Sequence, residues 1–147
     1  MQQLDCRRYR INRRSDVQIA AVSVQRPDYY PGLTAVDRAA LGTVIAELGS
    51  NILKYGGEGE IQIWRVHDGD QDGVMVEAQD HGPGIPDVEQ ALKDHYTTGN
   101  TLGLGLPAVE KIMEEHGGGI EVSSVEGEGA RFTIWFPQRP GSEPRAA

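Results

Sequence analysis

Three polar residues that could handle phosphate and a metal ion occur at helical spacing in one segment of the chain. Glu47 and Asn51 are four residues apart, and Lys54 follows three residues later. Residues three and four apart share one side of an α-helix, so the three side chains are expected on one face. A carboxylate can accept a proton or align a hydroxyl, an amide oxygen can bind Mg²⁺, and an ammonium can meet a phosphate. The same spacing is common on solvated helix edges, so this segment alone leaves both interpretations open.

A second motif, Asp80-His-Gly-Pro-Gly84, begins at the end of a predicted strand. A carboxylate at the rim of such a turn can accept a hydrogen bond from an exocyclic amine, such as that of adenine. Gly82 and Gly84 allow the backbone to approach a flat base closely. An ordinary tight turn with an Asx-type hydrogen bond uses the same residue types and is the alternative.

A third motif, Gly103-Leu-Gly-Leu-Pro107, opens a predicted helix. The first amides of a helix are unpaired and lie at its positive end, which favours phosphate. The motif is neither a P-loop nor a dinucleotide fingerprint. The loop at 94–102 lies between the two glycine motifs and carries Thr97, Thr98 and Asn100, which can hydrogen-bond phosphate. A lid over a nucleotide and a plain surface loop are both consistent with this composition.

Composition excludes several classes of protein. The chain has 147 residues, a net charge of −8 and a pI of about 4.9, which disfavours a general nucleic-acid binder. No segment approaches the roughly 20 apolar residues of a membrane span, and the N-terminus lacks a secretory signal. The single cysteine, Cys6, favours a reducing compartment, so a cytoplasmic location is expected. The four histidines lack metal-ligand spacing and are expected to be packing or surface residues.

The elements that must position these motifs follow from hydrophobic periodicity. Strands are predicted at 4–12, 61–66, 74–78, 120–125 and 131–136. Helices are predicted at 15–25 with Ser15 as N-cap, 34–55 with Thr34 as N-cap, 87–93 and 104–115. Turn residues at 68–73 indicate a hairpin loop. Strands in hairpin pairs with helices between them predict an α+β two-layer sandwich, with a mixed, largely antiparallel sheet and helices on one face. One domain is expected at 1–137, followed by a disordered tail at 138–147.

The three motifs, in this order, resemble the GHKL (Bergerat-fold) ATPase and kinase superfamily. Glu47-Leu-Gly-Ser-Asn51-Ile-Leu-Lys54-Tyr55 is similar to its N-box, Asp80-His-Gly-Pro-Gly84 to its G1 box, and Gly103-Leu-Gly-Leu-Pro107 to its G2 box. The resemblance covers about residues 5–136. It implies a Bergerat ATP-binding fold with ATP and Mg²⁺ as the bound groups.

Within the superfamily, the length and the segment 91–107 resemble the anti-sigma-factor serine/threonine kinases, above all the RsbT-type switch kinases of the stressosome. The region 117–136 resembles histidine kinases instead. The resemblance implies phosphorylation, with Mg-ATP, of a serine or threonine on STAS-domain antagonist proteins in a bacterial partner-switching pathway that governs stress or a sigma factor. The alternative is a nucleotide-dependent binding module that acts as an anti-sigma factor or phosphatase activator. A PP2C-type phosphatase or a sigma factor is the further partner implied, with no nucleic acid or membrane, and either a monomer or a homodimer is expected.

The resemblance also implies roles for individual residues. Glu47 is the expected catalytic base, and Asn51 the expected Mg²⁺ ligand. Asp80 is expected to receive the adenine amine, and Thr133 to lie near a water on the adenine side. The complete set expected to bind the nucleotide is Asn51, Lys54, Asp80, Gly82, Gly84, Ile85, Thr98, Gly103, Leu104, Gly105, Leu106 and Thr133.

Overall fold

The structure is a computed structural model that describes residues 2–30, 32–68, 71–81, 105–125 and 129–138. The short helix predicted at 87–93, the loop at 94–102 and the tail beyond Gln138 lie outside the described residues. The backbone N–H of Gln138 donates to the carbonyl of Asp72 at 2.8 Å, so the last described residue still contacts the sheet.

Five strands and three α-helices make up the described residues. In chain order they are β1 (Gln2–Ile11), α1 (Arg14–Ser23), α2 (Ala35–Asn51), β2 (Gly59–Asp68), β3 (Gln71–Asp80), α3 (Gly105–Glu115), β4 (Gly119–Val125) and β5 (Gly129–Pro137). The strands form one sheet in the order β1-β2-β3-β5-β4, and each neighbouring pair is antiparallel. The predicted α+β architecture is confirmed, and β3, which ends at Asp80, is the central strand.

The helices cover one face of this sheet. Alternate residues of β2, β3 and β5 are buried in the core beneath the helices, and Ile63, Val76 and Ile134 among them are at most 1% exposed. The residues between them on the other face, such as Met75 and Trp135, remain partly exposed. Period-two alternation in the strands therefore produces the two-layer sandwich that the sequence predicts. No helix of the described chain has the length and apolar character needed to cross a membrane.

Helix starts follow side chains that accept backbone N–H groups. Thr34 is the N-cap of α2, and its Oγ1 accepts the N–H of Asp37 at 3.0 Å, which confirms the predicted cap. The predicted cap Ser15 of α1 is wrong, because the N-cap is Arg13. The Asp16 carboxylate accepts the N–H groups of Asn12 and Arg13 at 2.9 and 3.1 Å, so a side chain inside the first turn fixes the helix start.

Several predicted boundaries move by a few residues, and two of these changes alter the local structure. The helix predicted to continue to Tyr55 is α-helical only to Asn51 and then widens into a π-helical turn, Ile52–Gly56. The hairpin between β2 and β3 is tighter than predicted, because Asp72 pairs with His67 inside the antiparallel ladder. The π-helical turn matters more, since it separates Lys54 from the α-helical register of Asn51, and such turns are frequent at functional sites.

Candidate nucleotide site

Asp80 lies at the centre of the candidate site. It ends β3 between the neighbouring strands β2 and β5, and it is 1% exposed. Its Oδ1 accepts the backbone N–H of Ala130 at 3.2 Å. A buried carboxylate needs donors, so an acid held at this position favours a ligand that donates to it, such as an amine.

Backbone without side chains surrounds Asp80. A Cβ atom at Gly56 would lie 2.5 Å from the Asp80 Cβ, and one at Gly59 would lie 3.0 Å from its Cα. At Gly129, where φ is +109°, a Cβ would lie 2.2 Å from the Asp80 carbonyl oxygen. Three chain segments therefore approach the aspartate more closely than any other residue type permits. Sequence reasoning missed these glycines and Ala130, because they meet Asp80 through the tertiary fold and not through proximity in the chain.

Glu47 and Gly105 are in direct contact, although 58 residues separate them. The Glu47 Oε2 accepts the backbone N–H of Gly105 at 3.3 Å. Gly105 is the first residue of α3 and has φ +64°, so this amide lies at the positive end of the helix. Glu47, the predicted proton acceptor, therefore lies next to the start of α3, the predicted phosphate-binding helix terminus. The Gly105 N–H that donates to the Glu47 carboxylate could equally donate to an anionic phosphate.

Asn51 has a buried side-chain amide that could bind a ligand. It is 9% exposed at the end of α2, one turn after Glu47. Its Nδ2 has no hydrogen-bond partner among the described residues. A buried amide group without a partner costs about 1–3 kcal/mol, which a bound group would relieve. The amide oxygen suits Mg²⁺, and the amide nitrogen suits a phosphate oxygen.

Lys54 supplies a cation close to this position. It lies half-buried in the π-helical turn, with its Nζ 5.2 Å from the centre of the Tyr55 ring. Burial lowers the pKa of the Lys54 ammonium below that of an ordinary lysine. A partly desolvated ammonium interacts more strongly with phosphate than a fully hydrated one.

Mg²⁺ would find few protein ligands here. Within the described part of the chain, no three His, Cys, Asp or Glu side chains converge on a common point. Mg²⁺ commonly binds one or two protein oxygens together with substrate phosphates and water. The Asn51 amide oxygen fits this donor set, with the remaining positions left to the nucleotide.

The remaining predicted residues divide into three groups. Leu106 is 5% exposed in the core, so only its backbone is available to a ligand. Thr133 pairs with Glu77 and Glu121 on the sheet face that points away from the helices, and its expected role beside the adenine stays a prediction. Because strand residues alternate in direction, Ala130, and not Thr133, reaches Asp80. The residues Gly82, Gly84, Ile85, Thr98, Gly103 and Leu104 lie outside the described residues.

Comparison with known protein families identifies similar domains. Residues 36–140 match the model of the histidine kinase-, DNA gyrase B-, and HSP90-like ATPase family. The chain is 42% identical over 101 residues to the serine/threonine-protein kinase RsbT of Bacillus subtilis, which covers 69% of this chain and 73% of RsbT. It is 44% identical over 85 residues to the sensor histidine kinase ZraS of Salmonella typhimurium, with 56% of this chain but only 18% of that protein covered.

Solved structures of similar fold include those of histidine kinases. The mycobacterial sensor histidine kinase MprB matches with a TM-score of 0.57 at 19% identity, over 92% of this chain and 99% of that one. The catalytic domain of the histidine kinase ThkA matches with a TM-score of 0.57 at 23% identity, over 95% and 100% of the two chains. At these identities the likeness concerns the fold.

Proposed function

The chain belongs to the family of histidine kinase-, DNA gyrase B- and HSP90-like ATPases, and on this premise we propose that it is a serine/threonine-protein kinase. It uses Mg-ATP to phosphorylate a serine or threonine of a STAS-domain antagonist protein. The observation that carries this proposal is the contact between the Glu47 carboxylate and the first backbone amide of α3. A proton acceptor at the phosphate-binding end of the site is the group that transfer to a hydroxyl requires.

The adenine and the phosphates of the nucleotide bind at opposite ends of the proposed site. Asp80 accepts the exocyclic amine of adenine, and its buried position excludes competing water. The glycines around it leave room for the flat base. The amide of Gly105 donates to a phosphate oxygen at the start of α3, and the Lys54 ammonium neutralises phosphate charge.

Catalysis depends mainly on positioning, because phosphoryl transfer needs little covalent chemistry from the protein. Asn51 holds Mg²⁺ through its amide oxygen. Bound Mg²⁺ supplies charge neutralisation on the phosphates. Glu47 accepts the proton of the attacking hydroxyl or orients that hydroxyl, one helical turn before Asn51 on α2.

The proposed substrate class follows the similarity to RsbT. That relative is named a serine/threonine kinase, and the alignment covers 73% of it. The histidine kinases are covered only in part, since 18% of ZraS aligns. A partner-switching pathway, with a PP2C-type phosphatase or a sigma factor as further partner, is part of the same proposal. Cys6 is exposed and unpaired among the described residues, in keeping with a reducing cytoplasm.

Transfer of radiolabel tests the proposal. The purified chain is incubated with [γ-³²P]ATP, Mg²⁺ and a panel of STAS-domain proteins, with EDTA as the control. We expect acid-stable label on serine or threonine of one STAS protein, and its loss with EDTA. Acid-labile label contradicts the assigned amino-acid specificity. Nucleotide-dependent binding of a partner without any transfer favours the binding-module alternative.

A further inference from the structure

A buried contact between two ionisable side chains, His116 and Asp37, joins α2 and α3 outside the site described above. The His116 Nδ1 lies 2.8 Å from the Asp37 Oδ1. The side chains are 13% and 0% exposed, so water has little access to the contact. Asp37 lies in the first turn of α2, and His116 follows the last residue of α3. The backbone N–H of His116 still donates to the Ile112 carbonyl, so it continues the helical turn.

The residues that form the two contacts between α2 and α3 are spaced by nearly the same distance along each helix. From Asp37 to Glu47 there are ten residues, or about 15 Å along α2. From Gly105 to His116 there are eleven residues, or about 16 Å along α3. The helices therefore run antiparallel, and α3 is held at its start by Glu47 and at its end by Asp37.

Apolar packing alone does not fix where α3 lies along its axis. Val109 and Met113 are fully buried against the core, and the His116 ring packs on Phe136 with the ring centres 5.1 Å apart. Apolar contacts are non-directional, whereas a hydrogen bond specifies distance and angle. Hydrogen-bond contacts join the two helices near both ends of α3, so each of them limits axial displacement of α3.

We propose that Asp37 and His116 are positioning residues of the nucleotide site, which fix the axial position of α3 so that the Gly105 amide meets Glu47 and the phosphates. This inference rests on the proposed function, because it assumes that a nucleotide binds at the start of α3. Neither residue touches the reacting atoms: the pair lies about 15 Å along the helices from Glu47. Its effect is carried by α3 as a rigid helix.

The test measures ADP affinity by calorimetry and hydrogen exchange of the Gly105 amide in the ligand-free protein. His116→Leu removes the donor, whereas His116→Asn keeps a nitrogen donor near the Nδ1 position. Val66→Ala is the matched control, because Val66 is 1% exposed in β2 and pairs with Gly73, at the end of the sheet away from Asp80. Asp37→Ala, which removes the acceptor and leaves His116 in place, replaces His116→Leu if that variant does not fold.

We expect His116→Leu to raise the Kd for ADP about tenfold and to speed exchange at Gly105, with both values largely restored in His116→Asn. Val66→Ala is expected to leave the Kd within about twofold at equal loss of stability. Equal Kd values for the wild type and His116→Leu, or equal weakening by Val66→Ala, overturn the inference. If the wild type binds no ADP, the proposed function fails, whereas unchanged exchange at Gly105 in His116→Leu overturns the positioning role by itself.

Discussion

The Glu47 carboxylate accepts a hydrogen bond from the Gly105 backbone amide at 3.3 Å. The contact joins the C-terminal part of α2 to the first residue of α3 and brings two sequence motifs into one site. Glu47 thus occupies a donor at the positive end of α3 that phosphate is also expected to use. Binding of the nucleotide therefore requires this amide to be shared or released, and the account of the site depends on these two residues acting together.

Replacing Asp80 by Asn is expected to weaken ADP binding by about 30-fold or more. The Asn side chain keeps an oxygen that can accept the Ala130 N–H, so the fold should persist. The Asn amide nitrogen is a hydrogen-bond donor, however. It would face the adenine amine, which is also a donor, in place of the carboxylate oxygen that accepts a hydrogen bond from that amine. Calorimetric titration with ADP measures the effect. Asp72→Asn, on an exposed residue that pairs with His67, is the control, and equal affinities of the two variants would contradict the assignment.

Gly59→Ala is expected to destabilise the protein by about 1–3 kcal/mol. The added Cβ would lie 2.2 Å from the Gln79 carbonyl oxygen and 3.0 Å from the Asp80 Cα, so the paired strands must separate. Gly119→Ala, where a Cβ meets nothing within 4 Å, is the control and should change stability by less than about 0.5 kcal/mol. Urea unfolding measures both. If the two variants are equally stable, the close approach at Asp80 is not as described.

Thr34→Ala is expected to cost about 1 kcal/mol of unfolding free energy, because it removes the N-cap acceptor of α2. Thr43 lies on the same helix, is exposed, and donates its hydroxyl to the Ala39 carbonyl. Thr43→Ala should therefore be neutral or slightly stabilising, since alanine has the higher helix propensity. Thermal unfolding of both variants is the measurement. A lower midpoint for Thr34→Ala alone supports the capping role of Thr34, whereas equal shifts of the two midpoints would show that only helix propensity has changed.

Lys54 gives the site a pH dependence of known sign. Burial lowers its pKa, so its ammonium is lost at a lower pH than that of an ordinary lysine. The ADP affinity of the wild type is expected to exceed that of Lys54→Gln near neutral pH, and the difference in affinity should narrow with rising pH before an ordinary lysine loses its charge. Lys111→Gln, on an exposed residue of α3, is the control. A difference that stays constant as the pH rises would show that Lys54 acts without its charge.

Local patterns in the sequence predicted the parts of the fold that local chemistry determines. Strand periodicity located the five strands, and Thr34 marked the start of α2 because a cap depends on residues three apart. Ser15 failed as a cap because Asp16, its neighbour, reaches back to two amides. The π-helical turn after Asn51 carries no period of its own and was read as α-helix.

The candidate site was predictable where its residues lie within one motif. Glu47, Asn51 and Asp80 follow from motif and spacing, whereas the glycines around Asp80 come from β2, β5 and the π-helical turn. Their role depends on strand register, which single-strand patterns do not contain. The role expected of Thr133 comes from the family resemblance alone, and the alternation of β5 directs its side chain to the face away from the helices. The sequence predicts His116 as a packing or surface residue, and its contact with Asp37 is long-range.

The central claim is that Glu47 serves transfer and not nucleotide binding. The most direct measurement compares the rate of ³²P transfer from Mg-ATP to a STAS-domain protein in the wild type and in Glu47→Gln, together with the Kd of each for ADP. We expect transfer to fall at least about 100-fold while ADP still binds within about tenfold of the wild type. Transfer by Glu47→Gln at the wild-type rate, with ADP bound, would contradict the account.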